Sequence, residues 1–480
     1  MLIQGTHAVT HMEDEVDMVR RLSDAIVTST PRRPTRVIQF GEGNFLRAFA
    51  DWQVQQMNDA DVFDGGVAIV QPLATGRVAE LDKQDRLYTV LLEGSQASTH
   101  EIITVINQTV NPYDDWPGFL HLADDALTCV IISNTTEAGI AVDPSDTAET
   151  VPPHGFPAKL AHLLRCRFQA GLPGFLILPC ELIDDNGPAL RRAVLECVTR
   201  FGWGDDLAHW IASENRFCST LVDRIVPGFP ADRAESLWAS WGYQDSLIVK
   251  AETYGLWAIE GTAADLACFP AHRAGLDVVL TDDLRPYCDR KVRLLNGPHT
   301  IMAQLGRLVG LHTVREAITD PDIRDFVVAQ MLDEVVPVLD LPRDEAESFA
   351  REVIERFENP SIVHDLDAIA LNSVAKFVSR LLPTIKANVA AGRGLPPRTC
   401  LALAGLLTIY LRPDGVVEPI DLPAVIAAFT AADGDARMVM ANASLWGEDL
   451  TAIPGLAELI LDDLALIESD GVRPLLRRFK

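Results

Sequence analysis

One short stretch, Lys291-Val-Arg-Leu-Leu-Asn296-Gly-Pro-His299, places a lysine, a carboxamide and an imidazole within nine residues. At about 100° and 1.5 Å per residue, a helix sets Asn296 and His299 within about 60° of each other. Lys291 falls about 80° round from His299 and roughly 12 Å below it, so the three share a broad half-face that a long lysine helps to span. A lysine tuned by its surroundings gives or takes a proton, and a carboxamide can hold a developing alkoxide. Alone, such a trio is most often a solvated helix face. A second site has to accompany it.

That second site lies near the N-terminus. Arg36-Val37-Ile38-Gln39-Phe40 reads as a short buried strand, followed by Gly41-Glu42-Gly43-Asn44-Phe45-Leu46-Arg47 and a helical pattern. Strand, glycine turn and helix open a dinucleotide-binding βαβ unit. The glycines permit close backbone approach, and the helix N-terminus faces the pyrophosphate. The sixth position of G-x-G-x-x-G is Leu46, and a lone G-x-G is weak, so an ordinary strand–turn–helix competes. The second strand, Gly66–Val70, ends at Gln71-Pro72, without the acid that binds a ribose 2′-hydroxyl. Gln71 can donate to a hydroxyl but does not repel a phosphate, and Arg77 lies nearby. These residues leave NAD and NADP both open.

The 480 residues suffice for two or three domains, and a net charge of −27 argues against nucleic-acid or anionic-membrane partners. It also means that an anionic substrate must meet a locally basic pocket. Eight scattered cysteines show no C-x-x-C pair and no zinc spacing, so no metal site is predicted and reduced thiols in the cytoplasm are expected. The first thirty residues carry Glu13, Asp14 and Glu15 and do not read as a secretory signal. No apolar run reaches the roughly 20 residues of a membrane span.

Between 36 and 286, short apolar runs alternate with amphipathic stretches. Strands are predicted at Val37–Phe40, Val67–Val70, Leu87–Leu92, Glu101–Val110, Cys129–Ser133, Phe175–Cys180, Leu256–Glu260 and Val278–Leu280. Helices are predicted at Phe45–Met57, Pro157–Ala170, Pro188–Phe201 and Asp205–Ser213. After about 288 the pattern is helical: Val292–Leu308, Asp322–Val338, Asp344–Phe357, Ala368–Leu382, Arg398–Leu411, Leu422–Ala432 and Gly455–Ile467. The expected class is α/β. A Rossmann-like domain (36–286) would have a mostly parallel sheet, with an antiparallel addition at 87–110. A mostly α-helical domain (287–480) would follow, and residues 1–35 form an extension. Lys291 sits at the switch, where two domains would make a cleft. Asn134-Thr135-Thr136-Glu137 follows one strand at its C-terminal end, where open α/β sheets bind ligands. Asp185-Asn186-Gly187 follows another and is otherwise a plausible turn.

Taken in order, Gly41–Arg47, Thr136–Gly139, Asn186-Gly187, Val222–Pro227 and Lys291-x4-Asn296-x2-His299 resemble the polyol-specific long-chain dehydrogenases of the mannitol dehydrogenase family. Gln39–Phe49, Ser133–Ile140, Pro179–Ile183 and Leu339–Asp344 look like its hexuronate-reducing branch. The resemblance implies a zinc-independent, NAD-dependent enzyme acting on a small sugar acid. Its expected reaction is the reversible reduction of D-tagaturonate to D-altronate in hexuronate catabolism. By motif, Lys291 would be the general acid/base, and Asn186 and Asn296 the oxyanion donors. His299 would position the substrate or tune Lys291, and Asp223 would line a water or proton path. The resemblance puts the cofactor on Phe40, Gly41, Gly43, Asn44, Phe45, Gln71, Asn134, Thr135 and Glu137. Lys376 matches a substrate-contacting lysine of the family. Ala368 stands where mannitol enzymes tend to carry an arginine, which argues against plain mannitol oxidation. A sugar acid also needs a cation for its carboxylate. Lys376 and Arg380, one helical turn apart, can face one anion, with His364 a weaker candidate. Fructuronate reduction, polyol oxidation, an NAD-holding epimerase and a non-catalytic dinucleotide sensor are the competing readings.

Overall fold

Val37, Ile38 and Phe40 leave no polar face on their strand beyond Gln39, a pattern that suits a strand covered on both sides. In the computed structural model this segment lies at the centre of a six-stranded sheet. The structure describes residues 20–23, 26–27, 33–94, 97–135, 137–411 and 423–479, with the side chains of Glu137 and Ala138 outside the description. The first strands are β1 (Thr35–Phe40), β2 (Gly66–Val70), β3 (Tyr88–Glu93), β4 (Ser98–Ile103), β5 (Ile106–Val110) and β6 (Val130–Ser133). They are followed by β7 (Leu176–Pro179), β8 (Arg216–Phe217), β9 (Thr220–Asp223), β10 (Val249–Glu252), β11 (Leu256–Glu260) and β12 (Val278–Thr281).

The large sheet runs β5-β2-β1-β6-β7-β8, with every pairing parallel. The order reverses between β1 and β6, the crevice where such sheets receive a ligand. Period-two alternation sorts the apolar residues onto two faces. Val37, Val67, Ile69, Val130 and Ile132 pack into one core, and Ile38, Phe40, Ala68, Val70 and Ile131 into the other. The second core is closed by helices α1 (Phe156–Gln169) and α2 (Asn186–Arg200). Two three-stranded sheets, β10-β3-β4 and β9-β11-β12, supply side chains to the first core. A two-residue parallel pair, Arg20–Arg21 with Tyr243–Gln244, stands apart.

The predicted strand over 101–110 is broken at Thr104-Val105. Its first part pairs antiparallel to β3, and its second joins β2 in the parallel sheet. The strands β9 and β10 were not predicted, because Thr220 and Asp223 in one and Lys250 and Glu252 in the other break up the apolar run by which equally short strands were read.

After β12 the chain is helical. The relevant helices are α3 (Arg285–Lys291), α4 (Gly297–Ile301), α5 (Arg343–Glu358), α6 (Ser373–Arg380), α7 (Pro397–Tyr410) and α8 (Leu456–Asp470). Apolar residues surround α7 on nearly every side, and it lies inside the helical core against α8. The helix expected over 368–382 is divided by Asn372, whose φ of 58° is left-handed. The expected helix Leu422–Ala432 is found over Pro423–Ala432, and Leu422 lies outside the described residues. No described helix is long and apolar enough to cross a membrane.

Candidate active site

Between α3 and α4 the helix does not run on as an α-helix. Residues Val292–Asn296 form a π-helical turn, and Met302–Gly306 form another. In a continuous α-helix Lys291 and Asn296 would stand about 140° apart. A π turn closes its bond over five residues, so this pair swings toward one face. Lys291 and Asn296 are therefore turned toward one face by a local departure from the regular helix from which the trio was first read.

Lys291 keeps partial access to solvent, yet protein groups surround its ammonium. Its Nζ donates to the Val222 carbonyl on β9 at 2.8 Å. Burial lowers its pKa from the usual lysine value. Asp223 opposes that shift, while Arg356 and Arg380 add to it. His299 is 5% exposed and packs against Phe357 and His364, with ring centroids 4.5 and 4.9 Å away. Burial drives its pKa well below the ordinary imidazole value, helped by His364, Arg380, Arg356 and Lys376. It is neutral at pH 7. Burial likewise lowers the pKa of His364.

Three atoms in this cluster, Asn296 Oδ1, His299 Nε2 and His364 Nδ1, are buried and have no protein partner. Buried polar atoms are nearly always paired, so the two adjacent imidazoles, with the Asn296 oxygen three residues before His299 on the chain, fit a place for a ligand. Lys376 Nζ donates to the Ile369 carbonyl at 2.8 Å. Arg380 Nη1 reaches Thr300 Oγ1 at 3.3 Å, and burial lowers the guanidinium pKa to about 10. No carboxylate pairs with Arg380 among the described residues.

Two expected roles are corrected. Asn186 is 1% exposed, and its Nδ2 donates to the carbonyls of Pro179, Glu181 and Thr220 at 2.9–3.0 Å. Its Oδ1 accepts from the Thr220 amide at 2.9 Å. Both amide protons are committed, so none remains for an oxyanion. The carboxamide instead ties the end of β7 to β9. The ≈ 700 Å³ cavity it borders is walled by Asp184, Asp185, Glu260, Asp282, Asp283 and Asp289 against one cation, Arg285, which is already paired with Asp283, the wrong balance for a sugar acid. Asn186→Ala is therefore expected to lower stability by about 2–4 kcal/mol, because several buried backbone groups lose their partner. Urea denaturation checks this, and an unchanged midpoint would contradict the tie.

Asp223 has both oxygens engaged by Arg356, at 2.9 and 3.0 Å, and does not line an open path. Arg356 also binds Glu252 at 2.8 and 3.0 Å and lies 4.1 Å over the Tyr254 ring. Burial pushes the Asp223 carboxyl up, but Arg356 and Lys291 outweigh it and hold the group below the usual carboxylate range. Sequence reasoning missed Arg356. A signal existed, since on α5 it falls on the buried face with Phe349, Val353 and Phe357, and a charge there requires partners.

At the sheet crevice Gly41 has φ +123°, and a β-carbon there would meet Leu46 Cδ1 at 3.1 Å and the Asn134 carbonyl at 3.3 Å. Leu46 takes the place of the missing third glycine by filling the core, and Gly41 makes room for it. A β-carbon on Gly43 would meet nothing, so this turn has the open backbone approach that a pyrophosphate needs. Arg47 holds the turn from below through the Glu42 carbonyl, Asn44 Oδ1 and the Leu247 carbonyl. Phe45 stacks on Phe49 at 5.0 Å. The Phe40 ring lies in the core against Phe119 and Phe156, so Phe40 can offer only its backbone to a ligand. Gln71 Nε2 donates to the carbonyls of Leu73 and Ala74, so the donation to a ribose expected of it is already spent within its own loop. Asn134 binds the Cys180 carbonyl, and Thr135 binds the buried Glu181 through both N–H and Oγ1. Thr136 and the Glu137 side chain lie outside the described residues. Among the described residues, no group of three or more His, Cys, Asp or Glu could hold a metal ion.

Comparison with known proteins decides the family. Residues 35–267 match the mannitol dehydrogenase Rossmann domain, and 283–467 match the mannitol dehydrogenase C-terminal domain. The chain is 41% identical over 462 residues to the altronate oxidoreductase of Klebsiella pneumoniae (strain 342), covering 92% of this chain and 96% of that one.

The chain belongs to the mannitol dehydrogenase family.

A second family member, the altronate oxidoreductase of Bacillus subtilis (strain 168), is 38% identical over 477 residues, 96% of this chain and 98% of its own. The family fold is shared with a substrate-free D-sorbitol dehydrogenase (TM-score 0.79, 23% identity, 93% and 95% of the two chains). It is shared too with the Pseudomonas fluorescens mannitol 2-dehydrogenase in ternary complex with NAD and D-mannitol (TM-score 0.73, 23% identity, 93% and 94%).

Proposed function

We propose that this member of the mannitol dehydrogenase family is an NAD-dependent oxidoreductase that reduces D-tagaturonate to D-altronate, reversibly. The observation that carries the reading is the Arg380 guanidinium, which no carboxylate neutralises among the described residues and whose charge acts on both Lys291 and His299, with unsatisfied buried atoms on Asn296 and His299. It provides an anion anchor next to a proton donor. The names of the K. pneumoniae and B. subtilis relatives support the choice of substrate. Residues 36–286 would hold the dinucleotide and 287–480 the sugar acid.

When bound, NADH supplies hydride to the ketone carbon, and charge gathers on the ketone oxygen. The Asn296 carboxamide donates to that oxygen, an interaction worth about 3–4 kcal/mol of barrier. The Lys291 ammonium delivers the proton that makes the product hydroxyl. Neutral His299 orients the sugar through Nε2. Arg380, with Lys376 beside it, takes the carboxylate in a charge-assisted pair.

Absorbance at 340 nm, with protein, NADH and D-tagaturonate, tests the reaction, with D-fructuronate and D-fructose in parallel. Rapid NADH loss with tagaturonate alone is expected. Loss only with another ketose would reassign the substrate. No loss with any, despite NADH binding, would remove the reading. Arg380→Met is expected to raise KM for tagaturonate about 10- to 100-fold, the loss of one charged hydrogen bond. Equal KM values would exclude Arg380 as the anchor.

Reduction needs Lys291 protonated and oxidation needs it neutral. As pH rises through the Lys291 pKa, which burial places below 10.5, kcat/KM should fall for reduction and rise for oxidation. Profiles that are flat in both directions would remove Lys291 from proton transfer.

A further inference from the structure

The strand β2 ends in a glutamine whose donors are already used, so the adenosine ribose has no acid from the usual place. A carboxylate arrives from the neighbouring strand instead. Glu42, between the two glycines that follow β1, turns across the end of the sheet, and its Oε1 accepts from the Arg77 backbone N–H at 3.1 Å. A β-carbon on Gly76 would stand 2.3 Å from that same oxygen and 2.4 Å from Gln71 Cδ. Glu42, Gln71 and Gly76 therefore converge beyond the C-terminal ends of β1 and β2. Residue 76 has no side chain because these two already occupy the space. Glu42 is 9% exposed, and no protein donor among the described residues reaches its second oxygen.

Arg77 is the nearby cation that a 2′-phosphate would seek. Its guanidinium is held by Glu80 at 2.8 Å, and its backbone N–H by Glu42. Both features disfavour a phosphate at this corner.

We propose that Glu42 selects the dinucleotide: its free carboxylate oxygen accepts from the adenosine 2′-hydroxyl and repels a 2′-phosphate, favouring NAD(H) over NADP(H). This rests on the dinucleotide-dependent reading above. The acid that reads the ribose has moved from the end of β2 to the middle of the glycine turn.

Equilibrium binding of NADH and NADPH, followed by fluorescence, tests the assignment without relying on turnover. The native protein should prefer NADH by about 100-fold. Glu42→Gln keeps the shape and an acceptor for the Arg77 N–H but removes the charge, and it should cut that preference at least about tenfold. Adding Glu80→Gln frees the Arg77 guanidinium and should tighten NADPH further. NADH lacking the adenosine 2′-hydroxyl should bind the native protein about tenfold more weakly than NADH, a comparison that needs no variant to fold. A preference unchanged within about twofold in Glu42→Gln, or equal binding of the 2′-deoxy form, would overturn the assignment. Equal native affinity for NADH and NADPH would also overturn it while leaving the dinucleotide site intact. Binding of neither would instead overturn the dinucleotide-dependent reading on which it rests.

Discussion

Replacing Lys291 with alanine is expected to lower kcat for tagaturonate reduction by about 10³-fold or more, toward the upper range of general acid catalysis. NADH affinity should stay within about twofold, because the lysine touches the β9 carbonyl of Val222 rather than the glycine turn. The loss comes from removal of the proton source, while Arg356, already the larger compensating charge on Asp223, stays in place. Single-turnover absorbance at 340 nm reports the chemical step, and fluorescence titration with NADH reports cofactor retention. Turnover near the native rate would remove Lys291 from the mechanism. Loss of NADH binding would mean that the substitution had disturbed more than the proton transfer.

The second large effect concerns Arg356. Arg356→Leu strands Asp223 and Glu252 as buried carboxylates without their cation, a change that costs about 3–5 kcal/mol. In the native protein the Asp223 carboxyl is held below its unfolded value. Its stabilising contribution is therefore full above the unfolded pKa and fades as pH falls through the folded one. Burial already raises the Glu252 carboxyl in the native protein, and without the arginine it should hold both carboxyls above their unfolded values. The penalty should then be complete above those raised pKa values and relieved as protons bind at lower pH. Urea denaturation at pH 7.5 and pH 5 should show the larger deficit at pH 7.5. An equal deficit at both would mean that the arginine contributes packing rather than charge.

Much of this fold was legible because its periodicities are long. The parallel core strands read as apolar runs, and the helical C-terminal half reads from its 3.6-residue spacing. The family followed from motifs spread across the chain, and the trio Lys291, Asn296 and His299 from their types. What stayed hidden depends on contacts between residues far apart in sequence. The carboxamide of Asn186 looked like a donor to substrate, but its partners are backbone groups up to 34 residues away. Arg356 meets carboxylates 133 and 104 residues distant. Gln71 was read by its position at a strand end, whereas its chemistry is decided by a loop that folds back onto it. Glu42 was read only as a spacer between two glycines.

The π turn at Val292–Asn296 also bears on how relatives of this protein should be compared. Such a turn is an α-helix carrying one surplus residue. Deleting any one of Val292, Arg293, Leu294 or Leu295 would let the helix close in regular register. Everything downstream would then keep its place, and the lysine and asparagine, now four residues apart, would still stand within about 40° of each other. Lysine, asparagine and histidine would all survive in such a chain, yet a search for the Lys-x4-Asn spacing would pass over it. Losing the π turn while keeping all five residues would instead set the same two groups about 140° apart. Within this family, the spacing between the lysine and the asparagine therefore has to be read together with the kind of turn that carries it.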